Sequence, residues 1–150
     1  MTLEIESTSL EDTLRLGEAV GKKLKGGEVI ELISDLGGGK TAFVKGLANG
    51  AGSKERTASP TFTISRIYRG DKTNIHHYDF YRLSEPGIVK QELQESLADD
   101  KASVAIEWAQ TVKNILPQDR LRVAIKTTGQ NSRQFAFFAG ASHARLVEDL

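Results

Sequence analysis

Apolar and polar positions change their spacing along the chain, and the changes mark the elements. Leu3 to Glu6 alternates apolar with acidic residues, the two-residue period of a strand. Ser9, followed three residues on by Asp12, predicts a capped helix start; Leu10, Leu14, Leu16, Val20 and Leu24 give that helix one apolar face, and Gly26-Gly27 ends it. Val29, Ile30, Leu32 and Ile33 predict a buried strand, and Phe43, Val44, Leu47, Ala48 and Ala51 a helix stopped by Gly50 and Gly52. Phe62 to Arg69 and Thr73 to Arg82 flank Gly70-Asp71-Lys72 as a β-hairpin. Ser84-Glu85-Pro86 opens a helix with a narrow stripe of Val89, Leu93 and Leu97, its Lys90, Gln91, Glu92, Gln94 and Glu95 facing water. Ser103 to Trp108 reads as a short apolar strand, Leu121 to Lys126 and Arg133 to Ala139 as a second hairpin, and Ser142 to Leu150 as a closing helix. Strands and helices that alternate in this way predict an α/β domain with a mixed sheet, whose ligands sit at the carboxyl ends of the strands.

The 150 residues suit one domain spanning 1–150 with a real core. Twenty basic against 20 acidic side chains leave no net charge to draw the chain to nucleic acid or a membrane, so any RNA contact is expected to be local or brought by a partner. The chain has no cysteine, which excludes disulfides, thiolate metal sites and a cysteine nucleophile. No signal-like start and no apolar run of about 18 residues is visible, so a soluble, cytoplasmic protein is expected.

The chemistry concentrates in Glu28 to Thr41, EVIELISDLGGGKT. Gly37, Gly38 and Gly39 sit between strand and helix, where backbone N–H groups can curl around an anion only if the residues tolerate positive φ and close approach. Lys40 would reach β- and γ-phosphates, Thr41 would offer its hydroxyl to Mg²⁺, and the following helix would aim its N-terminal dipole at the same phosphates. The full pattern G-x-x-x-x-G-K-[ST] is broken at its first position by Ser34. A glycine-rich turn without a ligand is the plain alternative.

Other positions carry less. Ser59 to Thr63, SPTFT, reads as an extended, hydroxyl-bearing segment of the kind that orders on a γ-phosphate, or as a plain turn into a strand. Period two puts Ile75, His77, Asp79 and Tyr81 on one face, so Asp79 needs a partner: Arg82, or the water and metal of an active site. His76 and His77 point to opposite faces and read as ordinary strand histidines. Glu107 ends an apolar strand, where a carboxylate can hold the ion that Thr41 contacts, or can pair with a surface base. Trp108 reads as a packing residue or a lid, Asp99-Asp100 as a solvated turn, and Arg133, the tail's only candidate for ligand contact, as solvated surface beside a hairpin turn.

In order along the chain, Thr13-Leu14-Arg15-Leu16-Gly17, DLGGGKT, SPTF, HHYDFYRL and IEW resemble the motifs of the TsaE (YjeE) family, small ATPases of the bacterial machinery that makes threonylcarbamoyladenosine in tRNA. The resemblance implies a P-loop NTPase-like three-layer α/β domain with a mixed central sheet flanked by helices. It implies that Gly37, Gly38, Gly39, Lys40, Thr41 and Ala42 cradle the phosphates of ATP, that Thr41 and Glu107 hold Mg²⁺, and that Asp79 positions or polarises the attacking water. Ser59 to Thr63, with Thr61, would be the switch-like segment, and Leu10 and Arg133 would lie at the adenine end. The implied partners are the TsaB and TsaD subunits, with tRNA held indirectly through them and no membrane. Ser34 departs from the family's glycine, and Glu92 falls where the family often has glycine.

These readings converge on a Mg²⁺-dependent ATPase that is slow alone, because no arginine is obviously placed as a finger, with Lys40 and Asp79 as its catalytic side chains. Two alternatives are a small nucleotide or metabolite kinase, which needs a lid and an acceptor pocket, and a regulatory nucleotide-binding module without turnover. No N-K-x-D guanine reader is present, which favours ATP over GTP.

Overall fold

The computed structural model describes residues 1–35, 39–55, 65–81 and 87–150. Its strands are β1 (Thr2–Ser7), β2 (Val29–Ser34), β3 (Ser65–Arg69), β4 (Asn74–Asp79), β5 (Ala102–Glu107), β6 (Leu121–Thr127) and β7 (Arg133–Ala139), and its α-helices are α1 (Leu10–Gly21), α2 (Lys40–Gly50) and α3 (Gly87–Ala98). They form one seven-stranded sheet in the order β1-β7-β6-β2-β5-β4-β3. β6, β2, β5 and β4 run parallel, while β7 is antiparallel to β6, β1 to β7 and β3 to β4. The mixed sheet is the expected one, with β2 at the centre of its parallel part.

Each face buries its own core. On one side α1 and α2 cover Ile30, Leu32, Ile75, Val123, Phe135 and Phe137. On the other, Leu93 of α3 and the turns after β5 cover Val29, Tyr78, Val104 and Ile106. The alternation along β2 and β5 therefore resolves into two cores, and each large side chain so buried contributes roughly 1.5–3 kcal/mol.

Ser9 caps α1 as its sequence predicts, its Oγ accepting the Asp12 N–H at 3.0 Å. Helix α1 crosses α2 at backbone contact. A Cβ on Gly17 would stand 2.4 Å from the Phe43 carbonyl oxygen, and one on Gly46 would stand 2.3 Å from that of Leu14. Leu16 and Val20 are buried on this side, but Leu10 does not belong to the apolar face: at the first helical position it is 67% exposed. The closing helix is also corrected. The helix predicted over Ser142 to Leu150 is a 3-10 helix confined to Ala141–Leu146, tied down by the His143 Nε2 that accepts the Val29 N–H at 3.0 Å. Strand β4 ends at Asp79, short of Arg82.

At the base of β2, Glu28 is buried and accepts from the amides of Lys25 and Gly26, from Ser103 Oγ and from Arg145. Burial alone would push its carboxyl up. The Lys25 amide, Arg145, Ser103 and the Gly26 amide reverse that, and the net shift is downward.

Candidate active site

β2 delivers the chain to the site and α2 leaves it. Gly39 is the N-cap of α2 with φ 97°, left-handed geometry that an L side chain rarely adopts, so the glycine meets the backbone requirement read from the sequence. Gly37, Gly38 and Thr61, with the rest of Ser59 to Thr63, Arg82 and the Ser84-Glu85-Pro86 helix start, lie outside the described residues. Thr41 is exposed and Ala42 half-buried in the first turn of α2, where the amides have no helical acceptor.

Lys40 is only 7% exposed. Its Nζ lies 3.7 Å from Glu107 Oε1 and 3.4 Å from the Ser34 carbonyl oxygen, and 4.4 Å from the centre of the Trp108 ring. Glu107, 3% exposed, is thus joined to the loop lysine and not to a surface base. Parallel pairing brings Asp79 of β4 opposite Glu107 of β5, and Glu107 opposite Leu32 of β2, so both carboxylates stand in one row across the carboxyl ends of adjacent strands. The structure therefore brings Lys40, Asp79 and Glu107 together.

Asp79 Oδ1 accepts the Tyr81 N–H at 3.0 Å. Burial raises the Asp79 carboxyl above its ordinary range and the Glu107 charge adds to this, while the Tyr81 amide, His77 and Lys40 oppose it. A buried and a half-buried acid in adjacent strands favour a cation between them, and the oxygen donors of Thr41, Asp79 and Glu107 suit Mg²⁺ better than a soft metal.

Three features go beyond the sequence reading. His77, 1% exposed, is no ordinary strand histidine: its Nε2 lies 2.5 Å from Glu107 Oε2. His76 faces the other way, its Nδ1 2.7 Å from Ser96 Oγ. Arg133 is not solvated surface. A Cβ on Gly39 would stand 3.8 Å from its Nε, which is buried without a partner, while Nη1 donates to the Gly129 and Ser132 carbonyls at 3.2 and 2.8 Å. Arg133 also pairs in register with Ser7, two residues before the Ser9 cap, so Leu10 and Arg133 occupy the same corner of the sheet. Finally, Trp108 takes a left-handed φ of 56°, which turns its ring onto Lys40 and to 4.8 Å from the Tyr81 ring. A cleft of about 400 Å³ opens beside Trp108, lined also by Ile33, Ser34, Asp35, Gln110 and Lys126. Of these, Arg133 had a sequence signal in the resemblance and Trp108 in its reading as a packing residue or a lid, while the bond of His77 had none.

A family model described as threonylcarbamoyl adenosine biosynthesis protein TsaE matches residues 7–135. The tRNA threonylcarbamoyladenosine biosynthesis protein TsaE of Bacillus subtilis is 33% identical over 154 residues, spanning 99% of this chain and 93% of its own length. The protein of the same name from Treponema pallidum is 37% identical over 129 residues, 85% of this chain and 94% of its own. Among solved structures, the crystal structure of YdiB from Bacillus subtilis superposes with a TM-score of 0.82 at 30% identity, over 97% of this chain and 91% of that one. The likeness runs nearly end to end and supports a P-loop-like α/β fold.

Proposed function

The chain belongs to the TsaE family, and from that premise we propose that it is a Mg²⁺-dependent ATPase required for threonylcarbamoyladenosine modification of tRNA, acting with TsaB and TsaD subunits. The observation that carries the reading is the meeting of Lys40 with the buried carboxylate of Glu107, with the half-buried Asp79 beside it in the next strand, at a left-handed glycine and a helix N-terminus.

In this reading Lys40 exchanges Glu107 for the β- and γ-phosphates of ATP, and the first-turn amides of α2, with Gly37 to Ala42, bind the same groups. Thr41 and Glu107 hold Mg²⁺, which when bound neutralises charge on the phosphates. Asp79 Oδ1 is taken by the Tyr81 N–H, which leaves Oδ2 to accept a hydrogen bond from the attacking water and orient it. Leu10 and Arg133 flank the nucleotide from one corner, and Thr61 belongs to the segment that senses the γ-phosphate.

Arg133 is held by Nη1 on two carbonyls of its own turn, which suits a fixed binding contact better than a mobile finger. Turnover alone is therefore slow, and partner subunits complete the site. With no net charge, the chain leaves the tRNA to those partners, and the protein works in the cytoplasm. Among the described residues no helix is long and apolar enough to cross a membrane.

The test is the rate of phosphate release from ATP, with and without TsaB and TsaD. Stimulation by the partners is expected, and Lys40→Ala or Glu107→Ala should lower the stimulated rate by about 100-fold or more. Wild-type turnover in either variant defeats the site assignment. Transfer of phosphate to a nucleoside monophosphate, in place of release, makes the protein a kinase.

A further inference from the structure

The carboxylate of Glu107 is divided between two neighbours. Oε1 faces Lys40 Nζ at 3.7 Å, whereas Oε2 lies 2.5 Å from His77 Nε2, a bond from β4 to β5 with both side chains almost fully buried. The second histidine nitrogen, Nδ1, is buried and has no partner. Burying an N–H without an acceptor is costly, while a bare lone pair is tolerated more easily, so the ring carries its proton on Nε2 and donates it to Glu107. His77 packs beside Tyr68, their ring centres 6.4 Å apart, and cannot swing away without opening the core.

We infer that His77 is a positioning residue for the metal site: it pins Oε2 of Glu107 so that Oε1 alone is presented to a cation, to Lys40 as seen here and to Mg²⁺ when ATP is bound. The inference rests on the reading of Glu107 as a metal ligand. Without the histidine bond the carboxylate would be free to rotate toward Lys40, and its metal-facing oxygen would have to be ordered each time an ion binds. Losses of about 10- to 100-fold in metal affinity are usual when such a supporting partner is removed.

The probe is Mn²⁺, followed by electron paramagnetic resonance as it is titrated into the full chain saturated with a non-hydrolysable ATP analogue. His77→Phe, which keeps a ring and removes the donor, should weaken Mn²⁺ binding about 10-fold or more, and His77→Gln, which keeps an N–H at similar reach, should recover most of it. In a Glu107→Gln background, which itself weakens Mn²⁺, adding His77→Phe should cost nothing further, because both changes remove one interaction. Wild-type Mn²⁺ affinity in His77→Phe beside a weakened Glu107→Gln overturns the role of His77 and leaves the metal reading intact. Unchanged affinity in Glu107→Gln overturns both. If His77→Phe does not fold, ¹⁵N resonances of the wild-type histidine still decide: a proton on Nε2 with Nδ1 bare is required, and the opposite tautomer refutes the inference.

Discussion

At the scale of single residues, Trp108 offers the most direct readout of the site. It is the chain's one tryptophan, its backbone is held at φ 56°, and its ring lies 4.4 Å from the ammonium of Lys40. Nucleotide that draws Lys40 onto its phosphates removes that ammonium from the ring, so ATP should change the intrinsic fluorescence, and Lys40→Met should abolish the change while a fluorescent ATP analogue reports any residual binding. Gly39→Ala tests the loop itself. An alanine held at φ 97° costs about 1 kcal/mol or more, so thermal unfolding should shift down modestly and ATP binding should weaken, although Arg133 at 3.8 Å leaves room for the methyl group. These residues also mark where sequence reading stopped. The placement of Gly39, Lys40 and Glu107 was legible because it follows from local order, a glycine-lysine-threonine run at a helix start and a strand ending in an acid. The bond from His77 to Glu107 was not, because it depends on which strands are neighbours, and residues 77 and 107 become adjacent only once β4 pairs with β5.

At the scale of elements, α2 is positioned by backbone as much as by side chains. Gly17 and Gly21 of α1 face Gly46 and Gly50 of α2, and a Cβ on Gly21, Gly46 or Gly50 would stand 2.3 Å from a carbonyl oxygen of the opposite helix. Such a gap holds no methyl group, so Gly46→Ala should force the helices apart, cost roughly 1–3 kcal/mol in urea unfolding, and move the N-terminus of α2 relative to Glu107. Lower ATP affinity should accompany the lost stability. The sequence showed apolar faces on both helices but read Gly50 only as a stop signal. Periodicity says which side of a helix is buried; it does not say how near the next helix comes. The same limit explains Leu10, which fits the helical pattern and yet stands 67% exposed to solvent.

For the whole molecule, the sheet is tied at its base by Glu28, which links the start of β2 to Ser103 and Arg145. Its carboxyl is held below the ordinary value of 4.5, so the stability it supplies is present above that pH, where the unfolded chain is also ionised, and is lost as pH falls through the lower native value. Glu28→Gln should therefore unfold at lower denaturant than wild type at pH 7, by about 1–3 kcal/mol, with the difference closing in acid below pH 4.5. The architecture was legible because alternation of period two and period 3.6 follows the chain closely, and because a parallel strand has to be reached through a crossover. The sequence predicts a closing helix over the whole of Ser142 to Leu150. His143 and Arg145 instead anchor a tighter turn onto the base of the sheet, which is tertiary information.

β1 pairs with β7, so Thr2 lies opposite Phe138 and Ser7 opposite Arg133. A ribosome therefore releases the first strand well over a hundred residues before the strand it must dock against has been synthesised. Until then that margin of the nascent sheet stays open and the corner joining Ser7 to Arg133 does not exist, so the arginine beside Gly39 is set in place only late in synthesis, after the glycine bend and its lysine have long since left the exit tunnel.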